Sequence, residues 1–411
     1  MGSYPNRFNM GALFVGPETT FGVETASYGY VRGHVIDRSG LKVAATEQQF
    51  VRQKDAAYPK VIGAHNGTLK SVHELHGWSQ ESVLPSSAPS HWLAAILGSA
   101  LGNVVSQGYT APQSDSTATT LKATSLSTFV AGQAVAVQQT DTQIYRAAWL
   151  TGVNTTPSPD EGTLLQELPD VPEASTPIFG SVTAFTPSGL GQDPFHDGST
   201  KSFTLKWNGR DAADCLLCLG CQPAGVKISA KHGEIPTIEI DWHVAHFIDV
   251  GSGGAPSIQA WPYPPPEKFL SAQLFRGPNM INPFRVASLE VDIRLDRKPI
   301  EDAQATSGIG GFYTVSRKPH VKFSVYRDPA THPVWFEAQT PYSYTFTWGS
   351  RAGRMVSICI PKGRIAEYPG WKDENGALAS DITIDAQDYQ GDTGTPADDS
   401  PINTDFRIAL L

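Results

Sequence analysis

Charged residues and cysteines are both scarce in this sequence. Charged residues make up 17% of the 411 residues, below the roughly 25% of ordinary soluble chains. Three of the four cysteines crowd together at Cys215, Cys218 and Cys221, whereas the disulfide framework of a secreted domain spreads its cysteines along the chain. A reducing cytoplasm is therefore the predicted place of synthesis.

Long apolar runs and an excess of basic residues are also missing. No stretch approaches the run of about 20 apolar residues that a membrane helix needs, so no membrane segment is predicted. The formal net charge is −9, which argues against a surface that grips phosphate groups with clustered Lys and Arg. The opening MGSYPNRFNMG lacks the basic, apolar and small-residue order of a secretory signal. An acidic protein can still have a function that involves DNA, because its surface can face DNA and repel it.

The cysteine cluster is the strongest candidate for a metal site. Its Cys-X2-Cys-X2-Cys spacing suits zinc or an iron–sulfur cluster, but a fourth ligand is missing. The next cysteine is the distant Cys359, and the nearest imidazole is His232. Because the segment CLLCLGC is so apolar, buried free thiols acting as small hydrophobes are the favoured interpretation.

Two histidine pairs share a three-residue spacing, His73 with His76 and His243 with His246. On a strand, residues three apart point to opposite faces, so neither pair can chelate a metal, and polar-face histidines are predicted. No nucleophile with a supporting base and no phosphate-binding glycine loop is found. The sequence therefore predicts no catalytic residue, no metal site, no cofactor and no enzymatic activity.

Period-two alternation of apolar and polar residues dominates the chain after residue 200, as half-buried strands require. Sheets with one packed and one solvated face are typical of antiparallel pairing, so the predicted fold is mainly β. The runs lie at residues 203–207, 238–244, 289–296, 321–325, 344–348, 356–360 and 382–385.

The domain organisation is predicted from the breaks between these patterns. A flanking helix is expected from Ser90, a capping residue, to Gly102. The polar stretch at 106–120 marks a boundary, and residues 111–185 are predicted to be a small inserted β-module. Residues 1–30 are expected to be an N-terminal arm, and residues 31–110 and 186–411 to form the main β-domain.

Residues 251–282 are predicted to be an interaction loop. They are too irregular for a strand and too apolar for simple exposure to solvent. An extended loop can bury such side chains against a neighbouring subunit. The candidate inter-subunit residues are Trp261, Tyr263, Phe269, Leu270 and Phe275.

The order of these segments resembles the tail tube proteins (major tail proteins) of long-tailed bacteriophages. The first stretch that carries the resemblance is KSFTLKWN at 201–208 with LGCQPAGVKISAKHGEIPTIEIDWH at 219–243. The second is AAILGSALG at 94–102, at the end of the predicted helix. The third comprises WGSRAGRMVSICIP at 348–361, WKDENGAL at 371–378 and FRIALL at 406–411.

The resemblance implies an antiparallel β-sandwich or barrel of tail-tube type, with one flanking helix and a small inserted β-module. It implies a structural virion protein that forms stacked homo-oligomeric rings, either hexamers or pseudo-hexameric trimers of a doubled domain. The partners would be the chain itself, other tail proteins and phage DNA, which passes through the lumen without specific binding. The protein would be made in the host cytoplasm and located in the tail of the virion.

Two acidic strand faces are the candidates for the lumen. Glu239 and Asp241 lie on one run, and Glu290, Asp292 and Asp296 on another. Like charge in the lumen would keep DNA from adhering, since it offers no counterion-releasing contacts. The alternative is an ordinary solvated strand face, and Arg294 interrupts the acidic row.

Two other functions remain open from the sequence. One is a different ring-forming virion protein, such as a tail terminator or a head decoration protein. The other is a carbohydrate-active or carbohydrate-binding β-sandwich, since nine tryptophans and many carboxylates could line a sugar cleft. Polymerisation into tubes of unlimited length would exclude the first, and ring formation the second.

Overall fold

A computed structural model of the chain describes residues 12–25, 29–31, 35–37, 41–51, 57–75, 77, 96–97, 103–105, 109–110, 115–141, 144–156, 158–174, 176–187, 202–208, 215–250, 267–277, 279–280, 286–302, 304–305, 308–326, 340–374, 376–387 and 404–411. The described elements are almost all antiparallel strands, so the predicted mainly β fold is confirmed. Of the predicted flanking helix, only Ile96 and Leu97 are described; both are helical and buried.

The strands are β1 (Ala12–Pro17), β2 (Gly29–Val31), β3 (Val35–Asp37), β4 (Leu41–Val51), β5 (Ala57–Glu74), β6 (Asn103–Val105), β7 (Tyr109–Thr110), β8 (Thr120–Ala123), β9 (Ala134–Gln138), β10 (Tyr145–Asn154), β11 (Asp160–Leu164), β12 (Ile178–Gly180), β13 (Val182–Pro187), β14 (Phe203–Asn208), β15 (Cys215–Lys231), β16 (Thr237–Val244), β17 (His246–Val250), β18 (Gln273–Arg276), β19 (Asn279–Met280), β20 (Val286–Glu301), β21 (Ile309–Tyr326), β22 (Tyr342–Trp348), β23 (Val356–Ile365), β24 (Gly370–Glu374), β25 (Ala377–Ala386) and β26 (Thr404–Leu410). Each alternating run predicted after residue 200 lies within one of them.

The largest layer, here called the front sheet, has the strand order β3–β5–β16–β15–β20–β21–β25–β24. Its apolar residues meet in register across the strands, as in the row Ile238, Ile228, Val291, Val321 and Ile384. All five side chains are fully buried. Period-two alternation therefore gives this sheet one core face and one polar face.

Two further layers pack on the core face. The back sheet has the order β19–β18–β22–β23–β26–β13–β6, and the side sheet has the order β2–β1–β14–β15–β17. Phe323 of the front sheet packs edge-on against Phe346 of the back sheet, with ring centroids 5.0 Å apart. Phe203 of the side sheet meets Trp242 of the front sheet at 5.8 Å. One hydrophobic core thus joins the three layers.

Strand β15 passes from the side sheet into the front sheet, and Gly220 lies near the crossing. Residues 215–221 pair with β14 and β17, and residues 222–231 pair with β16 and β20. Gly220 has a φ of 61°, and an added Cβ would lie 2.8 Å from the Cβ of Ala245. Only glycine fits such a position without strain, which explains a glycine inside an otherwise apolar strand.

A separate six-stranded sheet is built from β7, β12, β9, β10, β11 and β8. It has its own hydrophobic cluster, which includes Leu121, Leu126, Val135 and Leu150. These strands lie in and next to the region predicted to be an inserted β-module. In the region of the predicted N-terminal arm, Ala12–Pro17 is a paired strand of the side sheet.

Candidate functional site

The five acidic residues predicted to face a lumen all lie on the polar face of the front sheet. Glu239 and Asp241 come from β16, and Glu290, Asp292 and Asp296 from β20. Strand β15 lies between these two strands and pairs with both. The two acidic runs therefore belong to one continuous surface, which the sequence alone could not show.

Carboxylates alternate with a lysine and a histidine across this face. Glu239 lies opposite Lys227, Lys227 lies opposite Asp292, and Asp292 lies opposite His320. The row ends at Asp385, whose carboxylate is 3.7 Å from Nδ1 of His320. Opposite charges at facing positions stabilise an antiparallel pair, whereas like charges destabilise it.

Each of the five acidic side chains also has a cation within ion-pair distance. Hydrogen bonds to Glu239 and to Glu290 raise the pKa of Lys70 and of Lys227, respectively. Because the pairs are exposed, each contributes only about 0–1 kcal/mol to stability. The distances are Lys70 to Glu239 2.6 Å, Lys70 to Asp241 3.5 Å, Lys227 to Glu290 2.9 Å, Arg294 to Asp292 2.7 Å and Lys298 to Asp296 3.0 Å. The face is therefore one of mixed charge, in which Arg294 is one of several cations beside the acidic residues.

Asp381 forms the most connected polar group on this face. It accepts a hydrogen bond from Ser324 and lies 3.3 Å from Lys322 and 3.8 Å from Lys372. Burial acts to raise the pKa of Asp381, but the Ser324 hydrogen bond and the two ammonium groups outweigh it and lower the pKa. The carboxylate is thus held ionised between two cations.

The predicted inter-subunit residues are partly buried within the chain itself. Phe269 and Phe275 are each 2% exposed, and Phe269 packs edge-on against Trp348 at 5.6 Å. Phe275 belongs to β18, which pairs with β19 and β22. A neighbouring subunit is therefore not needed to cover either ring. Leu270 is 45% exposed, and Trp261 and Tyr263 lie outside the described residues.

Comparison with protein families decides the class of protein. The family described as phage tail tube protein matches residues 9–406. The chain belongs to the phage tail tube protein family. It is therefore a structural component of a phage tail, in a family whose members assemble with themselves and with other tail proteins. Comparison with curated proteins gives no match.

Metal binding finds no support among the described residues of this tail tube protein, which contain no group of three His, Cys, Asp or Glu side chains placed to hold an ion. Cys215, Cys218, Cys221 and Cys359 are buried free thiols, as predicted. Burial raises the pKa of Cys221 well above its usual value, and a hydrogen bond with Cys218 acts in the same direction. None of the described helices is long and apolar enough to cross a membrane.

The prediction of polar-face histidines is wrong for His73. Its side chain is fully buried on the core face of the front sheet and hydrogen-bonds the Ser71 hydroxyl at 2.8 Å. The same hydroxyl accepts a 2.8 Å hydrogen bond from the indole N–H of Trp242. His243, by contrast, is stacked on Phe312 with ring centroids 5.3 Å apart. Polar side chains that satisfy one another can occupy a core face, which an alternating pattern does not reveal.

Sequence reasoning also missed Glu18, a buried carboxylate that directly follows β1. It accepts hydrogen bonds from the backbone N–H groups of Gly22 and Gly220, both at 2.9 Å. The hydroxyls of Ser202 and Thr204 donate to it at 2.5 and 3.0 Å. Glu18 thus ties the turn after β1 to β14 and β15. A single Glu after an apolar run carries no signal of such a role.

Proposed function

We propose that this tail tube protein forms stacked homo-oligomeric rings and that the polar face of the front sheet lines the channel through which phage DNA passes. The observation that carries the proposal is the two-faced front sheet. One face belongs to the hydrophobic core, and the other presents carboxylates that alternate with basic side chains. Such a sheet suits a channel wall, because its back is held by the subunit and its front is free to meet a polyanion.

The mixed charge of the polar face fits DNA passage without binding. Protein–DNA affinity comes largely from Lys and Arg that displace the counterions of phosphate groups. Here Lys70, Lys227 and Lys298 each have a carboxylate partner within the sheet. A phosphate group would have to displace that partner to bind. DNA therefore gains little from contact, and it slides past a surface that neither grips nor strongly repels it.

The long hairpin formed by β4 and β5 is the element that we propose to connect one ring to the next. Strands β4 and β5 pair from Leu41 with Gly67 to Val51 with Ala57, which at about 3.3 Å per residue gives a ribbon roughly 33 Å long. Among the described residues, all of β4 and residues 57–66 of β5 pair only with each other. An isolated two-stranded ribbon is only marginally stable in water, so a copy in the adjacent ring is the proposed support for it.

Each chain supplies one tail-tube unit in this proposal, because the two halves of the sequence do not repeat each other. Six copies per ring are therefore proposed in preference to a trimer of doubled domains. Negative-stain electron microscopy of the purified chain tests this directly. The expected result is rings with six subunits and tubes of variable length.

A shortened hairpin separates stacking from ring formation. Replacing residues 46–62 by Asn-Gly joins Ala45 to Gly63, which face each other in the ribbon, through a two-residue turn. This variant should form rings without tubes. Unchanged tubes would contradict the stacking role of the hairpin. Two outcomes for the unaltered chain would also be decisive. If it forms only monomers, the tube proposal fails. If it forms rings that never polymerise, a tail terminator is favoured.

A further inference from the structure

One row of the polar face departs from the alternation of carboxylates and basic side chains. Arg294 of β20 lies directly opposite Lys318 of β21, so two cations face each other across this strand pair. Both side chains belong to the polar face, because their sequence neighbours Ile293 and Pro319 are buried on the core face. Like charges at facing positions destabilise an antiparallel pair. An anion held between the two cations would remove this repulsion.

Arg294 has hydrogen-bond donors that the sheet does not use. Its Nε donates to Asp292 at 2.7 Å, but its two terminal nitrogens have no acceptor among the described residues. On the other side of Arg294 lies Gly225 of β15, which has no side chain to offer. The Arg294 side chain is 72% exposed, whereas that of the paired Lys227 is 44% exposed. Such a guanidinium can bind one phosphate group through two parallel hydrogen bonds.

Lys318 adds a second charge at the same place. Its side chain is exposed, and no carboxylate lies within ion-pair distance of it in the part of the chain that the structure describes. Lys227 and Lys298, on the same face, each have such a carboxylate. A phosphate group would have to displace that partner from Lys227 or Lys298, but it can reach Lys318 without displacing anything.

The spacing of the two cations suits a single phosphate group. The Cβ atoms of residues directly opposite each other lie about 4.5–5.5 Å apart, so the charged ends of Arg294 and Lys318 can reach the same anion. Arginine supplies planar paired donors and lysine supplies a compact charge. A phosphodiester of the DNA backbone carries one negative charge and two free oxygens, which matches both.

We propose that Arg294 and Lys318 form a phosphate site, one per subunit, that contacts the backbone of the DNA in the channel. The proposal rests on the proposed function, in which the polar face of the front sheet lines the channel. Contacts to phosphate groups do not depend on the base sequence, so the site slows DNA without recognising it. The ion pairs elsewhere on the face keep the rest of the wall from adhering. Each ring thus contributes a set of weak contacts that limits the speed of DNA passage.

The DNA affinity of the unassembled subunit tests the phosphate site independently of tubes. A fluorescent short DNA duplex is titrated with the unaltered chain and with Arg294→Gln/Lys318→Gln at several NaCl concentrations, and the anisotropy is measured. The double variant should bind about 10-fold more weakly at low salt, the loss expected for a charge-assisted hydrogen bond. The slope of log K against log salt should fall by about 1, the value for one phosphate contact.

The matched control removes the same charge from another surface. Lys268→Gln with Arg351→Gln changes two exposed positions in the connections before β18 and after β22, in the back sheet. This variant should keep the affinity and the salt slope of the unaltered chain. Equal melting temperatures would show that both double variants fold. If both variants lose the same affinity and slope, binding follows net charge alone and the phosphate site is wrong.

DNA ejection from phage particles tests the position of the site in the channel. Particles built with Arg294→Gln/Lys318→Gln should eject DNA faster than unaltered particles at low salt, and equally fast at high salt, because salt screens the contact. If tubes form but the double variant changes neither affinity nor ejection, the phosphate site is wrong and the tube proposal stands. If affinity falls but ejection is unchanged, the site does not act on passing DNA. If the affinity depends on both residues but the unaltered chain forms no tubes, the tube proposal fails and the phosphate site stands.

Discussion

Trp149 of the six-stranded sheet donates its indole N–H to the hydroxyl of Ser357 in the back sheet across 2.9 Å. Gln166 accepts from the Trp149 backbone N–H at 2.9 Å and donates to the Thr345 hydroxyl at 2.7 Å. The Arg407 guanidinium lies 5.1 Å from the Trp149 ring and donates to the Gly132 carbonyl at 3.2 Å. The six-stranded sheet is therefore fastened to the main body by a buried polar network.

Truncation of Trp149 should loosen this attachment. Trp149→Ala removes a fully buried ring together with the hydrogen bond to Ser357, and the free energy of unfolding should fall by about 3–5 kcal/mol. Urea denaturation monitored by circular dichroism measures the change. Val130→Ala is the control, because Val130 is 39% exposed and should change stability by less than about 0.5 kcal/mol. A loss of less than about 1 kcal/mol for Trp149→Ala would contradict the fastening role.

Truncation of Phe275 and of Leu270, two residues of the predicted interaction loop, should affect the stability of the subunit differently. Phe275→Ala empties a core position and should cost about 3–5 kcal/mol of unfolding free energy. Leu270→Ala affects a half-exposed side chain and should leave the subunit as stable as before. Thermal denaturation of the two variants side by side checks this. Similar losses of stability in the two variants would contradict the prediction, since they would mean that the loop contributes to the fold as one unit.

Acid should weaken the fold partly through Asp381. Its pKa is lower in the folded chain than the usual value of 3.8. A carboxyl of this kind stabilises the fold above its unfolded pKa, and the contribution disappears as the pH falls through the lower folded value. The stability lost between pH 5 and pH 2 should therefore be smaller in Asp381→Asn than in the unaltered chain. Asp141→Asn, at an exposed position, should keep the full loss, and identical pH profiles for all three proteins would refute the prediction.

Charge reversal on the polar face should affect DNA passage more than assembly. Asp292→Lys with Asp296→Lys leaves Arg294 and Lys298 without their carboxylates and creates unpaired cations that release phosphate counterions. Phage particles with this variant should form in normal numbers but deliver DNA poorly, which plaque counts per particle measure. The control reverses Asp141 and Glu167, which are exposed in the connections between strands of the six-stranded sheet, and should deliver normally. Unaltered infectivity of the first variant would count against a lumenal position.

The strands of the front sheet could be predicted from sequence because one face of each is buried. The runs at 238–244 and 289–296 lie within β16 and β20, since a period of two is the simplest way to separate a core face from a polar face. The pairing of Glu239 with Lys227 could not be predicted. It depends on the register between β15 and β16, and register is set by contacts between distant residues.

The predicted interaction loop at residues 251–282 shows what the sequence could not predict. Its aromatic residues indicated a need for burial, and Phe269 and Phe275 are indeed buried, but by Trp348 and the strands of the same chain. Composition states that a side chain requires cover and does not say which surface provides it. The same limit applies to His73, which hydrogen-bonds Ser71 of its own strand, while the Ser71 hydroxyl also accepts a hydrogen bond from Trp242 of β16.

The fastening of the six-stranded sheet has a consequence for the order of folding. Its strands can gather their own cluster around Leu121 and Leu150 as soon as the ribosome has released them. The opposite side, with Trp149 and Phe179, packs on Met355, Cys359, Ala409 and Leu411, which are translated much later. That side stays open to water during synthesis until β26 emerges and takes its place between β13 and β23.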